Sequence, residues 1–564
     1  MVGMKPHLIR LRSAAALPAW RLRVGGSLTS RRLTGWIVVS SALLLLLLAA
    51  CTNQTAAGLP IAQTSPLANT LTVTVGTTLS ATQTARASTT PTPPAAKTAP
   101  PDATKKSATT STPPSPNTQA GSAPAPAPVG TVIYYEESVT LPTYPVEKYQ
   151  TDARDSVYNW PYKKFDVERF RTEAPKPVNR TYRVVVLENS YLKVMILPQI
   201  GGRIWQVIHK PSGKLMFYQN SVVKPTHWGN VNQLGWLALG GLEWNLPVIE
   251  HGYDWGSEWG FIPLQQSEDL ATVTLFTPQD GRYVNASITI SLRAGAAAFE
   301  IEPTISNLSK QTLSVNYWED ALLAPGSGKQ PSAQLHFVLP TDKMTIHSTF
   351  DKTLPQPDQT FTWPIYNGRD LSILGNWQQY IGFFEAPAAH GPFTGLYDKA
   401  SDTGAVRIYP ADVARGSKVF GLGWADRLGS DNFADDNSFY VELHGGLAPS
   451  FATEYPLPAG GSVNWREIWY PVHGIGDLTF ANEVAALQVQ ASKQGLQVGL
   501  YPVRPLAGTL VATVGGKAVA RQAVQVRPDA PFNGLLTNTP VTAGKFSIQL
   551  LDDAGRVLLT YPAP

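Results

Sequence analysis

From about residue 131 the chain is written in short runs where apolar and polar residues alternate: TYRVVVLENSYLKVMILP, DLATVTLFTP, YVNASITISLRA, AFEIEPTISNL, QTLSVNYWED and SFYVELHGG. A period of two in stretches rich in Val, Ile, Thr and aromatics, broken by Gly, Pro, Asn and Asp, predicts half-buried strands. So many strands over residues 131–477 predict a large all-β sandwich or barrel-like double sheet, a supersandwich. Helical spacing is confined to FANEVAALQVQA (Phe480–Ala491), which predicts a short helical linker over 478–490. Beyond it, LQVGLYPV, GTLVATVGG, KAVARQAVQV, KFSIQLLD and RVLLTYP predict a second, small immunoglobulin-like sandwich over 491–564.

The N-terminal part has neither period. Residues 1–50 carry seven bases (Lys5, Arg10, Arg12, Arg21, Arg23, Arg31 and Arg32) and no acid, followed by the apolar run GWIVVSSALLLLLLAA. That run is short for a membrane-spanning helix, which needs about twenty residues, and suits the core of an export signal. Cys51, the only cysteine of the chain, stands directly after it. Leu48-Ala49-Ala50-Cys51 resembles the lipobox of bacterial lipoproteins. The resemblance implies cleavage before Cys51, acylation of that residue, and an extracytoplasmic protein held to a membrane through it. Residues 51–130, dominated by Thr, Ala, Pro and Ser, predict a disordered tether, because such a composition buries too little apolar surface to offset chain entropy.

Charge sharpens the picture. The formal net charge of +4 belongs to the leader; without its seven bases, 38 basic residues face 41 acidic ones. Nucleic acid is therefore excluded as a partner of the folded part, since phosphate binding needs clustered positive charge. No HExxH, P-loop, GxSxG or CxxC arrangement is present, which removes zincins, nucleotide binders, common hydrolases and redox enzymes.

Candidate chemistry concentrates in two stretches. Trp228, Trp236, Trp244, Trp255 and Trp259 are interleaved with His227, Asn230, Asn232, Glu243, Asn245, Glu250, His251, Asp254 and Glu258. Flat rings beside carboxylates and amides are what sugar recognition uses: rings cover the C–H face of a pyranose, and planar polar groups bond its hydroxyls. On a strand through Gly240–Asn245, Glu243 and Asn245 share one face and Leu242 and Trp244 the other. On a strand Phe439–His444, Phe439, Val441 and Leu443 face the core while Tyr440, Glu442 and His444 line the opposite face, followed by Gly445-Gly446. Arg203, after Gly201-Gly202, is either a bidentate donor to sugar hydroxyls or the partner of a cleft carboxylate. Asp426, Asp431, Asp435 and Asp436 lie in one loop. Their spacing matches no EF-hand, so structural calcium is the minor reading there and no metal-ligand set is assigned.

Seven pieces, SVTLPTYP, LPQIGGRIWQVIHKPSGKLMFY, VVKPTHWG, LGGLEWNLP, VNYWEDALL, DNSFYVELHGG and REIWYPVHGIG, occur in this order over roughly residues 136–477. In them the chain resembles an uncharacterised bacterial domain family related to galactose mutarotases and often fused to tetratricopeptide repeats. The resemblance implies a mutarotase-like β-supersandwich. In mutarotases a glutamate takes the proton of the anomeric hydroxyl while a histidine protonates the ring oxygen. Glu442 is the natural glutamate, with His227, His251 and His444 open as its partner. In place of the repeats stands the C-terminal sandwich, and GGLEWNLPVIEHG stands where relatives carry a histidine cluster.

Taken together, the expectation is a cleft that binds or processes carbohydrate. Glu442, Glu243 and His444 are its candidate catalytic groups; Arg203, His227, Trp228, Trp244, Asn245, His251 and Tyr440 are its candidate substrate contacts. Two carboxylates suit glycosidic cleavage, and a carboxylate with a histidine suits mutarotation or epimerisation. The alternatives are a glycan- or cell-wall-binding module without catalysis and a surface scaffold for partner proteins.

Overall fold

The computed structural model describes residues 130–385, 387–429, 432–541 and 546–562. The expected export signal, Cys51, residues 51–129 of the expected tether and Asp431 lie outside the described residues. Among the described residues no helix is long and apolar enough to cross a membrane.

The expected all-β supersandwich followed by a small sandwich is the architecture found. Its first sheet has twelve strands. Its centre runs Leu192–Leu197, Arg203–His209, Gly241–Asn245, Trp318–Gly326, Val441–Gly446, Gly416–Gly421 and Ile381–Glu385, each antiparallel to the next. A nine-stranded sheet packs on one face of it; Val284–Arg293, Phe299–Asn307, Glu467–His473 and Thr403–Ile408 form its middle. Phe299–Asn307 alternates buried and half-buried residues along its whole length, as its sequence period requires.

Leu242, Trp244, Val441 and Leu443 from the first sheet meet Ile288, Ile290, Ile301 and Trp469 from the second in one continuous core. Each Leu, Ile or Phe buried there contributes about 1.5–3 kcal/mol relative to exposure. The opposite face of the first sheet is covered in part by a second cluster that includes Trp205, Tyr218, Trp236 and Tyr440. Alternation therefore sends residues of every central strand in two directions, one into the sandwich and one toward this second layer.

The predicted helical linker is not a helix. Phe480–Ala481 and Ala485–Ser492 are strands, the latter antiparallel to Gly495–Pro502. The misreading has a physical cause. Ala485 and Leu487 face the core of the C-terminal sandwich, while Ala486 faces the outer side of the nine-stranded sheet with Tyr470, Val472 and Tyr501. A strand buried on both faces loses its period of two and reads as a continuous apolar run. Among the described residues the one α-helix, Val167–Glu173, is capped by Asp166, whose side chain accepts from the Arg169 N–H. The C-terminal sandwich consists of two four-stranded sheets around one core of its own.

Candidate functional site

Register, rather than sequence proximity, builds the site. Glu243 pairs across the sheet with Asp320, Asp320 with His444, and His444 with Lys418. Four charged or titratable side chains from four strands thus lie in one row on the face away from the sandwich core. Arg203 extends the row, one residue before Ile204, which pairs with Leu242. Glu442, two residues before His444, lies on the same face.

The row is buried and closely spaced. Arg203 Nη2 is 2.9 Å from Glu243 Oε2, and the Trp236 indole N–H donates to both Glu243 oxygens at 2.9 and 3.1 Å. His251 Nδ1 stands 3.0 Å from Glu243 Oε1 and 3.7 Å from Asp320 Oδ2. His444 Nε2 stands 3.4 Å from Asp320 Oδ1 and 2.8 Å from Glu442 Oε2. Lys418 Nζ lies 3.1 Å from the same His444 nitrogen and 4.0 Å from Glu442 Oε2. Neither Asp320 oxygen has a hydrogen-bond partner, and the residue is fully buried. Glu243, His251 and Asp320, and likewise Asp320, Glu442 and His444, place their donor atoms within 4.8 Å of one another, so either group could hold a metal ion.

Above the row opens a cleft of about 770 Å³, with Glu442, Tyr440 and Lys418 along its floor and His251, His347 and Trp236 among its lining residues. Trp228 and His227 also line it, as do the rings of Phe350 and Tyr380, which meet edge to face at 4.7 Å. His251 stacks on Trp236 with ring centres 3.6 Å apart. Its loop is backbone-strained: Glu250, His251 and Gly252 all have positive φ (55°, 71° and 61°). Non-glycine residues held in that region cost about 1–3 kcal/mol each and persist only where surrounding structure fixes them. Gly252 is fixed by contact as well, since a Cβ there would come within 2.3 Å of the Leu246 nitrogen. The strain presents two consecutive titratable side chains to one cleft.

Burial sets the electrostatics. It pushes Asp320 well above the usual carboxylate range, with Glu442 and Glu243 adding to the effect. Burial also raises Glu442, against the pull of Lys418. It drives His444 well below the usual histidine value, and Lys418 adds to that. Glu442 at the cleft and His444 behind it are thus a carboxyl and an imidazole in contact, the kind of pair that passes a proton to or from a bound hydroxyl.

Residues 155–471, more than half of the chain, match the model of a family described as a domain of unknown function, DUF5107. The chain belongs to the DUF5107 family. A crystal structure of a TPR-domain containing protein from Parabacteroides distasonis shares the fold: TM-score 0.50, 20% identity, 61% of this chain against 56% of that one. The chain thus spans little more than half the length of that relative. Matches of lower score include a putative mutarotase from Salmonella typhimurium (TM-score 0.36, 8% identity, 58% of this chain and 97% of that one). A putative aldose 1-epimerase from Klebsiella pneumoniae also matches (0.38, 11%, 60% and 92%).

Within the DUF5107 domain the candidates read from sequence separate into three groups. Glu442, His251, Tyr440, His227 and Trp228 come together at the cleft, and among the three open histidines it is His444, buried behind it, that touches Glu442. Arg203 and Glu243 lie beneath it. Arg203 is fully buried and donates to the carbonyls of Ile200, Gly240 and Trp255 as well as pairing with Glu243, so of its two expected roles the ion pair is the one realised. Glu243, 1% exposed, holds His251 rather than facing the cleft.

Trp244 and Asn245 do not join the site. Trp244 points into the sandwich core, donating to Gly202 O, because the alternation that turns Glu243 outward turns its neighbour inward. Asn245 shares the face of Glu243 but is buried opposite Trp318, off the cleft. Trp255 and Trp259 are core residues too.

The described carboxylates of the acidic loop are engaged by side chains: Asp435 pairs with Lys224, Asp436 with Lys329, and Asp426 accepts from Gln379. Asp320, Lys418 and His347 went unread in the sequence. The signal for Asp320 and Lys418 was a charge inside an otherwise apolar strand, in WEDALLAP and GSKVFG. His347 gave none.

Proposed function

We propose that the DUF5107 domain binds a carbohydrate in this cleft and exchanges protons with it, Glu442 and His444 acting as the acid/base pair. The carrying observation is the 2.8 Å contact between His444 Nε2, buried behind the cleft, and Oε2 of Glu442, which lines a cleft with aromatic walls. Ring faces at Trp228, Phe350 and Tyr380 suit the apolar side of a pyranose, and the acid/imidazole pair suits proton transfer at an anomeric hydroxyl and ring oxygen. Mutarotation or epimerisation needs only such a pair. Glycosidic cleavage by two carboxylates finds less support, since Glu243 is held by Arg203 and Trp236 beneath the surface.

The test is Glu442→Gln in the full chain, incubated with free sugars and oligosaccharides while NMR follows anomer exchange and product release. The expected result is turnover by the parent, reduced about 10²–10⁴-fold in the variant, with sugar binding kept. Saturable binding by both without turnover would leave a glycan-binding module. No interaction with any sugar would overturn the reading and favour a scaffold.

Export and anchoring through acylated Cys51 belong to the same proposal, supported by the single cysteine placed directly after the apolar run. Metabolic labelling with an alkyne fatty acid should mark the parent and not Cys51→Ser. Equal labelling of both removes the anchor.

A further inference from the structure

We propose that Glu243, His251 and Asp320 form a binding site for one divalent first-row transition ion at the base of the cleft. Asp320 carries the inference. Its carboxylate is fully buried, neither oxygen accepts a hydrogen bond, and its nearest bases stand off at 3.4 and 3.7 Å. A buried polar group left in that state is costly unless something else satisfies it.

The donor geometry fits an ion. Metal–ligand bonds of about 2.0–2.2 Å place neighbouring donors about 3.0–3.5 Å apart. Here Glu243 Oε1 and His251 Nδ1 are 3.0 Å apart, and His251 Nδ1 and Asp320 Oδ2 are 3.7 Å apart. Two carboxyl oxygens and one imidazole nitrogen match the preference of ions such as Mn²⁺, Fe²⁺ or Zn²⁺, and an ion bound there would displace the proton that burial favours on Asp320.

The supporting groups are also in place. Arg203 and the Trp236 N–H orient the Glu243 carboxylate, and stacking on Trp236 orients the His251 ring. Three protein ligands leave further positions open, the pattern of an ion that meets a substrate, and one of the three, His251, lines the cleft. The second group, Asp320 with Glu442 and His444, is the poorer host. Lys418 Nζ already sits 3.1 Å from His444 Nε2, so a cation occupies the ligand's side.

The inference does not depend on the sugar reading, and its test uses no sugar. The full chain is stripped with chelator and titrated with Mn²⁺, free ion being followed by EPR. One saturable site per chain is expected. Asp320→Asn and His251→Gln should each weaken it by more than the about 10–100-fold that an outer-shell change such as Trp236→Phe costs. His444→Gln should bind as the parent does.

No binding of Mn²⁺ or of Zn²⁺ by the parent overturns the proposal. So does parental affinity in both Asp320→Asn and His251→Gln, or loss in His444→Gln alone, which would move the ion to the other group. Should Asp320→Asn fail to fold by near-UV circular dichroism, His251→Gln decides, since that side chain is 11% exposed and packs outside the sandwich core.

Discussion

Glu319 and Asp320 are neighbours on one strand, both fully buried, and they end in opposite kinds of surroundings. Glu319 points between the two sheets, where Arg407 Nε lies 2.7 Å from it and 2.5 Å from Glu467, and Arg407 Nη2 lies 2.7 Å from the other Glu467 oxygen. Burial, then Glu467, lifts Glu319 well above the carboxylate range, while Arg407 holds Glu467 low against the push of burial. One cation, one carboxylate and one carboxylic acid close to neutrality. Gly445 completes the arrangement: a Cβ there would come within 2.1 Å of the Arg407 guanidinium.

Asp320 points the other way and has no cation of its own, since Arg203 is spent on Glu243. A buried cluster that closes its charge stabilises architecture. One that stays open, under a cleft, is the arrangement expected of a group that meets a ligand or a proton.

The strongest way to break this contrast is Arg407→Met. Removing one partner of a buried ionic cluster leaves the others uncompensated and costs about 3–5 kcal/mol. Urea unfolding should show a loss of that size. A loss below about 1 kcal/mol would mean the inner cluster carries no architectural load.

A third buried polar group asks whether neutrality is general. His209 and His473 stack 4.0 Å apart where the supersandwich meets Tyr501 of the C-terminal sandwich. Burial lowers His209 to about 4, and burial followed by His209 and Lys214 lowers His473 to about 2. Both are neutral when folded, whereas the unfolded chain takes up protons below about 6.5. Stability contributed by this pair is therefore present above that value and falls with acidification, until each folded-state value is reached.

Between pH 7 and pH 5 the loss is about 2 kcal/mol per histidine. His209→Gln should remove its share of the slope when unfolding is measured at both pH values. An unchanged slope would show that the ring is not kept neutral by its burial.

The fold was readable because its strands are long and amphipathic: Phe299–Asn307 and Val284–Arg293 announce their inner faces residue by residue. Ala485–Ser492 was not, since two cores claim its two faces. For the site, alternation correctly separated Glu442 and His444 from Val441 and Leu443, all within one strand. What a single strand cannot show is register. Asp320 and Lys418 join His444 only through cross-strand pairing with positions 124 and 26 residues away in the chain. Trp244 was placed in the cleft by composition although its own alternation argued against it, and the core is where it lies. Local pattern fixes which way a side chain points; it does not fix which other side chains it meets.

The smallest effect is expected at Lys418, and it bears on the contrast directly. Lys418 is as buried as Arg407 in practical terms, 4% exposed against 0%. Its ammonium, however, has no close carboxylate: Glu442 is 4.0 Å away, an imidazole nitrogen is nearer at 3.1 Å, and the Phe451 ring centre stands at 4.8 Å. A lysine so placed carries most of its desolvation cost with little pairing to offset it. Lys418→Met keeps the packed stem and removes the charge, so unfolding should change by no more than about 1 kcal/mol, in either direction. A loss matching that of Arg407→Met would make Lys418 a structural cation like its counterpart, and the cleft cluster would then be a second closed network rather than an open one.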